Sequence, residues 1–209
     1  MNPSLGDLIF TRWAGLSSRL TQWVTSGKAA HVEQICDDGP TPKVSTASKA
    51  LNAIKVWTWH TRKSYFASTK TAWCRYSLKR PLTRAERDSL LEYFEEAGNT
   101  FSYSSSELLL QGLDALKNWV TRTPYDDPKA VWFRRAGNWA KSAVICSKHS
   151  ATGLIRLGLL PAHAEFWSPA DLLRYVSKSQ EWIFEESVDG FFEIGEEPTR
   201  TVAVPWVPA

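Results

Sequence analysis

Between residues 7 and 78 the chain repeatedly alternates apolar with polar residues, and this period of two is what most constrains its fold. The segments are Asp7–Phe10, a strand that opens at His31 and runs into the turn Asp37-Asp38-Gly39, then Val44–Ser48, Ile54–Trp59 and Thr71–Leu78. They are rich in Val, Ile, Thr and Trp, residues that suit a pleated, half-buried surface. Together they are expected to form one antiparallel sheet.

Helical signals follow. Thr83-Arg84-Ala85-Glu86 is a capping box opening a helix with Leu90, Leu91 and Phe94 on its apolar face, and Gly98 is expected to stop it. Ser105–Val120 forms a second candidate, with Leu108, Leu109, Leu113 and Leu116 on or near one face. Ser168-Pro169 provides an N-cap and a proline at the first helical position of a later, short helix. Thr121–Lys129 is polar, contains proline, and reads as a loop walling the cleft. The class is therefore α+β, an antiparallel sheet packed against helices. At 209 residues and 43% hydrophobic content the chain can bury a substantial core. One domain is expected over 1–194. The proline-bearing stretch 195–209 reads as an extended arm suited to docking on a virion or other protein partner.

Chemistry concentrates at Cys146. In Ala143-Val144-Ile145-Cys146-Ser147-Lys148-His149 an extended apolar lead-in ends and a helical pattern begins at the thiol. Unpaired amides and the positive end of a helix dipole stabilise a thiolate, the nucleophilic form of cysteine. The strongest candidate base is His31. A histidine preceding its cysteine reverses the papain order, which leaves the mechanism open because such pairs are recognised by geometry and role. Glu33 lies two residues on, so both side chains share a strand face, and it is a candidate for orienting the ring as well as an ordinary strand carboxylate. His149, one helical turn after Cys146, could join Cys74 on a metal or replace His31 as base, but one Cys-x-x-His is a poor metal signal and a solvent-facing or packing histidine is the commoner case. Cys36 and Cys74 read as small buried hydrophobes. Neither a metal nor a cofactor is expected, and no phosphate-binding glycine motif is present.

These residues fall into a recognisable order. Gly6-Asp7-Leu8-Ile9-Phe10, Leu16-Ser17-Ser18-Arg19-Leu20, Val24-Thr25-Ser26-Gly27 and His31-Val32 resemble the opening of the permuted NlpC/P60 (papain-like) hydrolases of the YiiX/YebB type. Gly98–Tyr103, Ile145-Cys146-Ser147 and Trp167–Leu172 resemble that family's later blocks, in the same order up to about Val176. The resemblance implies a circularly permuted papain-like fold, Cys146 as nucleophile, His31 as base, Ser147 near the oxyanion, and Thr46 at the third polar position. Two positions depart from the family pattern: Ala30 stands where Ser or Thr is usual, and Glu33 where Gly is usual.

Composition bounds the partners. A formal net charge of +3, with only local pairs such as Lys79-Arg80 and Arg134-Arg135, gives nucleic-acid binding no support. Three cysteines without disulfide-like spacing suit a reducing compartment. The first residues lack the basic and apolar regions of a secretory signal, and no apolar run reaches membrane-spanning length. Synthesis in the cytoplasm, with release by lysis or assembly into a particle, is the corresponding expectation. Of the 11 tryptophans, Trp57, Trp59 and Trp73 are expected in strand packing, while Trp13 and Trp23 flank a helix that roofs the cleft ahead of His31.

The resemblance thus implies a cysteine hydrolase of amide bonds, with peptidoglycan stem peptides as the leading substrate. The alternatives are a lipid acyl hydrolase or acyltransferase of the lecithin:retinol acyltransferase-like type, and a non-catalytic structural module such as a virion tail component.

Overall fold

Strands β1 (Leu8–Arg12), β2 (His31–Asp37), β3 (Lys43–Ser48), β4 (Ala53–Thr58), β5 (Ala72–Leu78) and β8 (Trp182–Ser187) form a sheet in the order β4-β3-β2-β1-β5-β8, every neighbouring pair antiparallel. A separate parallel pair joins β6 (Ser102–Tyr103) to β7 (Ala143–Val144). The helices are α1 (Trp59–Ser68), α2 (Arg84–Thr100), α3 (Cys146–Arg156) and α4 (Pro169–Lys178), with a 3-10 turn at Ala162–Phe166. This is a computed structural model, and it describes residues 2–13, 18–19, 22, 27–48, 53–103, 110, 113–114, 116–118, 120–123, 127, 143–188 and 191–192. The expected α+β class, with an antiparallel sheet packed on helices, is the observed one.

The strand period of two sorts the core. Ile9, Ile35 and Val44 lie with Trp59, Phe66 and Trp73 in a cluster under α1. Their sequence neighbours Leu8, Phe10, Val32 and Ala47 join Cys146, Ala151 and Leu154 of α3 and Leu172, Leu173 and Val176 of α4 in the larger cluster. Both faces of the sheet are thus covered, which is why β2 is buried from Val32 to Cys36 rather than alternating with solvent.

Two glycines permit close approaches that hold the site together. A Cβ on Gly153 of α3 would lie 2.8 Å from Leu90 and from Tyr93 of α2. A Cβ on Gly27, just ahead of His31, would lie 2.2 Å from the Cβ of Ala170 in α4. The residues before β2 are thereby pressed onto a helix that begins 142 positions later, at Pro169.

Several expectations are corrected. The strand read as Ile54–Trp59 ends at Thr58, because Thr58 caps α1, its hydroxyl accepting from Thr61 N at 3.1 Å. Trp59 is therefore a buried helical residue, and Trp57 is 39% exposed rather than packed. Gly98 does not stop α2, which continues to Thr100. Burial of Tyr93, Phe94 and Ala97 holds the helix through a glycine that disfavours it by about 1 kcal/mol. Both capping boxes, Thr83 with Glu86 and Ser168 with Asp171, are formed. Strand β8 was not foreseen. The expected helix Ser105–Val120 lies mostly outside the described residues, and Leu113, Leu116 and Val120 within it are exposed. Arg134, Arg135 and the arm 195–209 lie outside them altogether. Among the described residues, no helix is long and apolar enough to cross a membrane.

Candidate active site

Cys146 is the first residue of α3, and the residue before it, Ile145, is extended (φ −107°, ψ 170°) and supplies no capping side chain. Amides in the first turn of a helix have no partner within it. Here the backbone amides of Val32, from β2, and Ser147 lie near the Cys146 sulfur and favour its ionised form. Cys146 is 6% exposed and Ser147 fully buried, with the Ser147 hydroxyl finding no hydrogen-bond partner.

His31 opens β2, and its imidazole lies close enough to the Cys146 thiol for each to favour the other's charged form. Nε2 lies 2.8 Å from Thr46 Oγ1 and 3.3 Å from Glu33 Oε1. A carboxylate can only accept, so Nε2 carries a hydrogen and donates to Glu33 and Thr46. That leaves Nδ1 for the thiol. The strand period explains the grouping: His31 and Glu33 share one face of β2, and Thr46 reaches them from β3.

Behind Glu33 stands a residue that sequence reasoning missed. Arg62 of α1 holds the carboxylate in a fork, with Nε donating to Oε1 at 3.0 Å and to Oε2 at 2.8 Å while Nη2 donates to Oε1. The guanidinium carbon sits 4.8 Å from the ring centroids of both Tyr65 and Phe66. Glu33 has no solvent exposure, and Arg62 has 15%.

The charges are mutually dependent. Burial opposes ionisation of Cys146, but the positive His31, its hydrogen bond and the amides of Val32 and Ser147 together bring the thiol below its ordinary value. Burial likewise opposes a charged His31, and the thiolate and Glu33 outweigh it, lifting the imidazole to about 10. Burial would raise Glu33, but His31 and Arg62 keep its carboxyl below the usual value. The balance favours a thiolate and an imidazolium side by side.

His149 has a different role from those expected of it. It is fully buried, its Nε2 lies 2.8 Å from Ser45 Oγ, and its Nδ1 lies 3.0 Å from the Tyr93 hydroxyl. Tyr93 donates its proton to the His149 carbonyl at 2.6 Å, so it accepts from Nδ1–H, and Ser45 donates to Nε2. Burial, aided by the charge on His31, drives this imidazole down to about 3. It is a neutral link between α2, α3 and β3. It does not face solvent, and both ring nitrogens are already engaged. Cys36 and Cys74 are buried free thiols, as expected.

Trp13 places its ring edge-on to His31, centroids 6.1 Å apart. Trp23 lies outside the described residues. Among the described residues, no group of three or more His, Cys, Asp or Glu side chains is arranged to hold a metal ion.

No protein-family model matches this sequence, and no curated protein does so. Among solved structures, the chain is similar to the metalloprotein yiiX from Escherichia coli O157:H7. The TM-score is 0.51 at 14% sequence identity, over 90% of this chain and 89% of that one. At that identity the likeness is one of fold. The chain shares the yiiX fold.

Proposed function

We propose that this protein is a cysteine hydrolase acting on amide bonds, with peptidoglycan stem peptides as substrate, in wall turnover or in a particle that breaches the wall. The observation that carries the reading is the juxtaposition of Cys146, at a helix N-terminus, with His31, whose Nε2 is held by Thr46 and Glu33. The substrate class rests on the resemblance of the motifs around these residues to the permuted NlpC/P60 hydrolases.

The thiolate attacks the carbonyl carbon, forming a C–S bond while the π electrons move to oxygen. The Cys146 backbone N–H, unpaired within the helix, is available to that oxyanion. Collapse expels the amine, which takes the proton from His31 as the C–N bond breaks. Water then attacks the thioester, giving up its proton to neutral His31, and the carboxylic acid leaves as the thiolate returns. Thr46 and Glu33 keep the ring turned so that one nitrogen serves both transfers.

The test is incubation of the protein with purified peptidoglycan and with free stem peptides, products being read by mass spectrometry. The expected result is new amine and carboxyl termini that disappear in Cys146→Ala and His31→Ala. Intact substrate with a folded, thiol-reactive protein would rule out this substrate class.

A further inference from the structure

Cys146 and Glu33 are buried on either side of His31, so when ionised they are two anions around one imidazolium. A third charge in a desolvated space must be balanced, because an unpaired buried charge is strongly disfavoured. The balancing charge is that of Arg62, which forks both oxygens of Glu33 and packs its guanidinium against the Tyr65 and Phe66 rings. Resting on the hydrolase reading above, we infer that Arg62 is a positioning residue that allows Cys146 to be a thiolate while Glu33 is ionised. It does so by making the set Cys146, His31, Glu33 and Arg62 electrically neutral.

His31 and Arg62 are the cations in contact with Glu33, and α3 carries the buried Lys148 two residues after Cys146. From β1, Ile9 and Thr11 face Glu33 and His31 across the ladder and carry no charge. From β3, Thr46 is neutral. From β4, Lys55 lies opposite Thr46 but is exposed. On α1, Lys63 is directed over the Trp59 ring, 5.4 Å from its centroid. From α3, His149 is held neutral by Ser45 and Tyr93. Glu33 is also the position at which this chain departs from the glycine usual in the family it resembles. A carboxylate placed there without a cation would compete with the thiolate for the single imidazolium.

Removing the positive charge raises the tendency of every nearby group to hold a proton. In Arg62→Gln the thiol therefore keeps its proton to higher pH, whereas removing Glu33 as well restores neutrality. The experiment measures the pH dependence of iodoacetamide labelling of Cys146 in the full chain, with circular dichroism as a check on folding. Wild type, Arg62→Gln, Arg62→Lys, Glu33→Gln/Arg62→Gln and His31→Ala are compared.

The expected result is a labelling midpoint raised by about one pH unit or more in Arg62→Gln. The midpoint stays near wild type in Arg62→Lys and returns toward it in the double variant. Superimposable profiles for wild type and Arg62→Gln overturn the proposal, as does a double variant that remains shifted. If Arg62→Gln is unfolded, the double variant decides: folded with a low midpoint it supports charge balance, and unfolded it makes Arg62 a packing residue only. The hydrolase reading fails separately, if wild-type Cys146 labels as an ordinary thiol whatever occupies position 31.

Discussion

Ser45 donates a hydrogen bond to His149 across 2.8 Å, joining strand β3 to the helix that begins at Cys146 over a sequence separation of 104 residues. The next residue, Thr46, points to the opposite face and accepts from His31. Consecutive residues of one strand therefore set the helix that bears the thiol and the ring that meets it. Ser45→Ala leaves a buried imidazole nitrogen without its donor, and chemical denaturation should show a loss of about 1–3 kcal/mol. Cys146 labelling should slow in the same variant, because α3 loses its register against β3.

The paired thiolate and imidazolium imply a bell-shaped pH profile for hydrolysis. The ascending limb follows Cys146, brought below its ordinary value of 9.0 by His31 against the opposing effect of burial. The descending limb follows loss of the proton from His31, lifted to about 10. Initial rates against pH at saturating substrate should therefore level off between the two limbs. A single limb near neutrality would mean that a neutral histidine acts as base on an intact thiol.

Thr46 and Glu33 both hold His31 Nε2, and their contributions can be separated. Glu33→Gln removes the buried charge and leaves a neutral amide, whereas Thr46→Val removes a neutral hydroxyl acceptor at similar size. Glu33→Gln should lower kcat toward the uncatalysed side of general acid-base chemistry, by about 100-fold or more. The expected effect of Thr46→Val is smaller, with KM little changed in either. Equal effects would assign the orienting role to Thr46.

His149 should leave a signature in acid stability. Its ordinary value is 6.5 and burial takes it to about 3 in the folded chain. Between these values the unfolded chain binds the extra proton, so its contribution to stability is present above 6.5 and is lost as the pH falls toward 3. Subtracting the unfolding free energies of His149→Asn from those of the wild type should yield a difference that shrinks as pH falls through that window. A constant difference would mean that His149 is protonated in the folded state.

Gly27→Ala tests the contact between the residues ahead of β2 and α4. The new Cβ would lie 2.2 Å from that of Ala170, a backbone-borne atom that has no rotamer to move into. A loss of stability of about 1–3 kcal/mol is expected from denaturant unfolding. Ala170→Gly should recover much of it in the double variant, since it removes the atom that is struck.

Much of this arrangement was legible because its signals are local. The capping boxes at Thr83 and Ser168, the alternation in β2, β3 and β5, and the strand-to-helix switch at Cys146 each lie within a few residues of sequence. Two residues of separation already put Glu33 on the face of His31. What escaped notice depends on contacts distant in sequence. In α1 only Trp59 and Phe66 are buried, too sparse a pattern to announce a helix, so Arg62 had no visible place. Strand β8 exists as the partner of β5, more than 100 residues earlier, and that pairing leaves no local trace. His149 looked like a second reactive group because its partners Ser45 and Tyr93 come from elements far away in the chain.

The parallel pairing of Ser102 with Ala143 and of Tyr103 with Val144 brings together the two ends of residues 104–142, immediately before the nucleophile. Parallel neighbours require a crossover, and a crossover tolerates wide differences in length. The approach to Cys146 is thus clamped by its own point of departure. A change in the length of 104–142 can therefore leave Ala143 and Val144 paired with Ser102 and Tyr103, so that the lead-in to Cys146 keeps its place.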